Sequence, residues 1–90
     1  MGEAIRIAGA GMHCIGAWRA RPQGRALGGV VVVQEIFGVN AHIRAVVEDF
    51  ARAGFDAIAP ALFDHVEDGV ELDYDEAGVA RGRATAEELG

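Results

Sequence analysis

The chain has 90 residues, 51% hydrophobic, 7% aromatic and 24% charged, a mix that fits a globular fold and excludes a coiled coil or a disordered tail. With no Ser, no Lys, one Thr (Thr85), one Cys (Cys14) and three His, it excludes serine-based acyl chemistry and an internal disulfide within these residues. The net charge of −6 argues against general nucleic-acid binding, and it is uneven: five Arg meet two acids in residues 1–45, whereas three Arg meet twelve acids in residues 46–90.

Ala4 to Ala8 and His13 to Ala20 read as short strands, with Gly9-Ala10-Gly11 as the turn of a hairpin. Cys14 reads as a small buried hydrophobe. Neighbours along a strand point to opposite faces, so His13 is badly placed to activate it, and Met12 stands where a nucleophile elbow needs Gly. Trp18 reads as packing on the sheet. Arg21-Pro22-Gln23-Gly24 is a turn, and Gly28-Gly29 opens a strand from Val30 to about Gln34. Four consecutive Val leave no polar face, the pattern of a strand covered on both sides in a parallel sheet. That run is the longest unbroken apolar one, too short to span a bilayer, and no basic segment followed by an apolar stretch opens the chain. A cytoplasmic location and no membrane partner are therefore expected.

Glu35 to Val39 reads as a loop and Asn40 as the N-cap of a helix. Ile43, Val46, Val47, Phe50 and Ala51 form the apolar face of that helix, opposite His42, Arg44, Glu48, Asp49 and Arg52. Gly54 terminates it, and Phe55 to Ala59 returns as a strand stopped at Pro60. The strand–helix–strand crossover is expected to be right-handed. From Asp64 to Glu76, thirteen residues carry seven carboxylates and no Arg, which reads as a solvated loop. A calcium loop fails there on ligand spacing. Asp75 to Leu89 reads as a weaker helix, interrupted by Gly78 and Gly82. A hairpin followed by β-α-β predicts an α/β fold. A strand covered on both sides needs more neighbours than this chain supplies, so the sheet is expected to be incomplete and residues 1–90 to be the front part of one longer domain.

In open α/β sheets, ligands bind beyond the carboxyl ends of the parallel strands. Two segments end there, Gln34-Glu35-Ile36-Phe37-Gly38 and Pro60-Ala61-Leu62-Phe63-Asp64. Glu35 is the first charge after a wholly apolar strand. A carboxylate there loses part of its hydration, making it a candidate acid, base or partner to a nucleophile. It reads equally well as a carboxylate satisfied by local amides or by an Arg. Backbone N–H groups in the same loop, next to a helix N-terminus, suit a developing oxyanion. Neither G-x-G-x-x-G nor a P-loop occurs, and the three His are scattered, so no nucleotide, metal or other cofactor is expected. Arg81 and Arg83 could clamp a carboxylate substrate, or be plain surface charges.

The run Gly29-Val30-Val31-Val32-Val33-Gln34-Glu35-Ile36-Phe37-Gly38-Val39-Asn40, continued through His42-Ile43-Arg44 and then Gly54-Phe55 to Pro60-Ala61-Leu62-Phe63, resembles the dienelactone hydrolase family (carboxymethylenebutenolidases). The match covers roughly residues 3–90 and is strongest from Gly29 to Phe63. It implies an α/β-hydrolase fold and hydrolysis of an enol-lactone or related ester through a Cys-His-Asp triad. In that family the nucleophile sits in a G-x-C-x-G elbow, followed by Asp and then His, and none of these lies within this sequence. The resemblance implies that Glu35 contacts the nucleophilic thiol and helps control its ionisation, and that the Ile36 amide contributes to the oxyanion hole. It also implies that an Arg near Arg81 and Arg83 holds a substrate carboxylate, so the expected partner is a small, anionic lactone or ester. Ala61 departs from the Asp often found after the Pro. Two other readings stand beside this one: a non-catalytic α/β module binding a small anion or a protein partner, and a truncated product without function. The oligomeric state is left open.

Overall fold

The computed structural model describes residues 2–8, 14–67 and 69–90. Strand β1 (Gly2–Ala8) pairs antiparallel with β2 (Cys14–Ala20), running from Gly2 opposite Ala20 to Ala8 opposite Cys14. The expected hairpin is therefore formed, while its Gly9-Ala10-Gly11 turn and His13 lie outside the described residues. Next come β3 (Gly29–Val31), helix α1 (Ala41–Arg52), β4 (Asp56–Pro60), a 3-10 turn (Leu62–His65) and helix α2 (Glu76–Leu89). The sheet order is β1-β2-β4-β3, with β4 antiparallel to β2 and parallel to β3. This is an α/β fold with a mixed, open sheet.

Small residues on the sheet decide how closely α1 can approach. Partners across a ladder face the same side, and the register sets Ala20 beside Ala57 and Trp18 beside Ala59. Onto these alanines α1 lays Ile43, Val47 and Ala51, with Val47 fully buried, and Trp18, Val30, Val32 and Val39 close the edges. Trp18 also donates its ring N–H to Glu48 Oε2 at 3.2 Å, and the Arg44 guanidinium sits 5.5 Å from its ring centre. The helix begins where its sequence predicts: Asn40 Oδ1 accepts from the Ile43 N–H at 3.1 Å. It ends at Ala53, followed by Gly54 at φ +103°, a left-handed backbone that Gly adopts without Cβ strain.

Four expectations change. The Val-rich strand is shorter than Val30–Gln34, with one further ladder bond from Val32 N–H to Ile58 O at 2.8 Å. Its side chains alternate: Val30 and Val32 face the core, while Val31 and Val33 are 64% and 66% exposed. Among the described residues β3 is an edge strand, and α1 covers one of its faces. Cys14 is exposed rather than buried, because it opens β2 at the outer end of the hairpin. Helix α2 runs unbroken through Gly78 and Gly82, both buried, from an N-cap in which Asp75 Oδ1 accepts the Gly78 N–H at 2.7 Å. The acidic segment is only partly a solvated loop. Asp64 is 7% exposed and accepts from Gly16 N–H at 2.7 Å and Gly69 N–H at 2.9 Å, tying β2 to the segment after the 3-10 turn. Glu71 pairs with Arg44 at 2.8 Å, and Glu67 pairs with Arg81. Among the described residues, no helix is long and apolar enough to cross a membrane.

Candidate functional site

The parallel strands β3 and β4 end side by side, and one side chain ties their following loops together. Gln34 Oε1 accepts the Leu62 N–H at 2.8 Å, and Gln34 Nε2 donates to the Glu35 carbonyl at 3.1 Å. The chain then turns tightly over Glu35-Ile36-Phe37-Gly38, closed by Gly38 N–H to Glu35 O at 3.1 Å. Gly38 has φ +83°, and a Cβ on it would overlap the Val70 carbonyl, so only Gly lets these two segments touch. Leu72 N–H donates to Phe37 O at 2.8 Å, stitching the acidic segment to the turn. Tyr74 completes the seam: its ring meets Phe37 edge-on at 4.4 Å, and its hydroxyl accepts from Asn40 Nδ2 at 3.0 Å.

Glu35 therefore sits on the rim where both carboxyl ends meet. Its side chain is exposed and forms no ion pair or hydrogen bond among the described residues. It borders a shallow groove of about 150 Å³ with Gln34, Ile36, Leu62, Phe63, Ala86 and Leu89. The Ile36 N–H, at the second position of the turn, donates to no acceptor among the described residues. An exposed carboxylate and a free backbone donor on adjacent residues can respectively hold a proton or cation and stabilise a developing negative oxygen.

Arg81 and Arg83 stand apart from this groove. Arg81 is held by Glu67, whose hydrogen bond and charge push its guanidinium pKa above the ordinary value. Arg83 is exposed, and two residues along a helix turn the side chain to a different side. No three His, Cys, Asp or Glu among the described residues group to hold a metal ion. Sequence reasoning missed the Gln34 bridge, the burial of Asp64 and the role of the two helical glycines. Only the last left a signal, since Gly at two positions four apart marks one face of a helix.

An open, mixed sheet with its two parallel strands delivering loops to one rim defines a partial α/β-hydrolase-like arrangement. Comparison with known proteins gives the family. The family model described as "Dienelactone hydrolase family" matches residues 15–88, and the chain belongs to that family. It is 50% identical over 54 residues to a "Putative carboxymethylenebutenolidase" of Synechocystis sp., covering 60% of this chain and 22% of that protein. It is 38% identical over 58 residues to "Carboxymethylenebutenolidase 1" of Cupriavidus pinatubonensis, covering 64% of this chain and 25% of that one. The crystal structure titled "Putative Dienelactone Hydrolase" from Klebsiella pneumoniae superposes with a TM-score of 0.68 at 32% identity, over 90% of this chain and 35% of that one. A solved structure titled "m3DLH" gives 0.71 at 27% identity, over 99% and 35%. The chain thus spans about a quarter of the matched curated relatives and a third of the matched structures.

Proposed function

We propose that residues 1–90 are the N-terminal part of a single α/β-hydrolase domain that hydrolyses an enol-lactone or related carboxylic ester, with its nucleophile in polypeptide that follows Gly90. The observation that carries this is the pairing, at the joint end of two parallel strands, of a Glu35 carboxylate and an Ile36 N–H that have no partner among the described residues. The exposed Val31 and Val33 on an unpaired edge are further support, since burying them takes additional chain.

In this mechanism a Cys thiolate attacks the carbonyl carbon of the ester or lactone. The carbonyl π pair moves onto oxygen, where the Ile36 N–H receives it. Collapse expels the ester oxygen, which takes up a proton, and leaves a thioester that water then hydrolyses. Glu35 contacts the thiol and takes or returns its proton as substrate enters. The substrate is small and anionic. Arg83, exposed, and Arg81, released from Glu67, are the candidate anchors for its carboxylate. The protein acts in the cytoplasm without a cofactor.

The polypeptide after Gly90 is expected to carry G-x-C-x-G, then Asp, then His. In the protein that contains both parts, Glu35→Ala should cut turnover with the fold intact. Ile36→Pro deletes the donor at a turn position that Pro favours, and should lower kcat by about 10²–10³-fold. Unchanged kinetics in both variants would remove this turn from the active site.

A further inference from the structure

Gly78 and Gly82 lie one turn apart on a buried face of α2, and the nearest group to each is a backbone carbonyl. A Cβ on Gly78 would overlap the Asp73 carbonyl, and a Cβ on Gly82 would overlap the Ile36 carbonyl and crowd the Ile36 Cβ at 3.0 Å. A side chain can rotate away from such an overlap; a peptide group held in a hydrogen-bonded turn cannot. Any residue other than Gly at 82 would part α2 from the turn by about 1 Å before ordinary contact returned. Ile36 is thus held on two sides, by the Gly38 N–H to Glu35 O bond within its turn and by the bare face of α2 behind its carbonyl. The same face continues to Ala86 and Leu89, which line the groove beside Glu35.

We propose that Gly82 is a positioning residue: through its missing side chain, α2 seats against Ile36 and fixes where the Ile36 N–H points. This rests on the oxyanion assignment of Ile36 given above. Preorganised donors lose their effect steeply with misplacement, and a shift of about 1 Å can cost about 10²-fold in rate.

The test compares Gly82→Ala with Gly78→Ala in the protein that contains both these residues and the nucleophile, assayed on p-nitrophenyl acetate per titrated thiol. Gly82→Ala should lower kcat by about 10²-fold with KM within twofold, and weaken inhibition by a trifluoromethyl ketone in parallel. Gly78→Ala meets Asp73 instead, away from Ile36 itself, and should lower kcat far less than Gly82→Ala does; an equal loss would trace the effect to the general seating of α2 and overturn the proposal. If Ile36→Pro is costly and Gly82→Ala keeps full kcat, the proposal for Gly82 falls while the oxyanion assignment stands. If Ile36→Pro is silent, both fall. A second measurement needs no substitution. In native-state hydrogen exchange of the unsubstituted protein, the Gly38 amide and the amides of α2 should open together. A Gly38 amide that opens while α2 stays closed would refute the clamp.

Discussion

Asp64 offers the sharpest quantitative test of how the acidic segment is held. Replacing it with Ala removes both acceptors of the Gly16 and Gly69 N–H groups, at 2.7 and 2.9 Å, from a carboxylate only 7% exposed. A hydrogen bond to a charged group contributes about 1.5–3 kcal/mol, so the pair is expected to contribute about 3–5 kcal/mol, below the upper end of the simple sum because both bonds share one group. Native domains are stable by only about 5–15 kcal/mol in total, so the loss is a large share of that. Asp64→Asn keeps one acceptor oxygen but turns an N–H toward the other donor, and should lose about 2–3 kcal/mol. Urea unfolding followed by circular dichroism should show Asp64→Ala lowering the midpoint by at least about 1 M, with Asp64→Asn between it and the parent. Amide exchange should quicken first at Gly16 and Gly69. A midpoint for Asp64→Ala equal to the parent's would show that the buried carboxylate contributes nothing net, and would refute the reasoning.

Asn40→Ala removes the α1 cap and the donor to Tyr74, and should cost about 1–2 kcal/mol by the same urea assay, whereas Tyr74→Phe, which keeps the cap, should cost less. Equal costs would mean that the cap itself contributes little. On the sheet, the hydrogen bond from Arg19 holds the Asp56 carboxyl below the usual aspartate range, with the Arg19 charge adding to it against desolvation. A depressed folded-state pKa stabilises the fold above the ordinary aspartate value, about pH 4, and that stabilisation is lost as pH falls through the lower folded value. Asp56→Asn should therefore be less stable than the parent at neutral pH, with the gap closing on acidification below about pH 4. A gap that stays constant from pH 7 to pH 2 would exclude the pair as its source.

The local elements follow from residues read in order. Asn40 and Gly54 bracket α1 because capping and left-handed termination depend on the residue types themselves. The β-α-β unit and the place of Glu35 beyond a Val-rich strand follow from periodicity in the same way. Burial does not follow from it. Four Val in a row specify a strand with two apolar faces, and which face is covered depends on neighbours that the pattern does not name. Asp64 reads as one charge among seven because one of the two amides that claim it, the Gly16 N–H, lies 48 residues away.

Gly78 and Gly82 show the same division most plainly. Helix propensity penalises Gly by about 1 kcal/mol against Ala, so by itself the pattern predicts a break in α2. The folded chain keeps the helix, and its close packing on the Asp73 and Ile36 carbonyls leaves no room for a Cβ at either position. What these 90 residues determine alone is the order of their elements and the two ends of α1, since those depend on interactions within a few residues. Which carboxylates are buried, which edge is bare and what holds the Glu35–Gly38 turn are settled only in three dimensions, because the groups that decide them meet from distant parts of the chain.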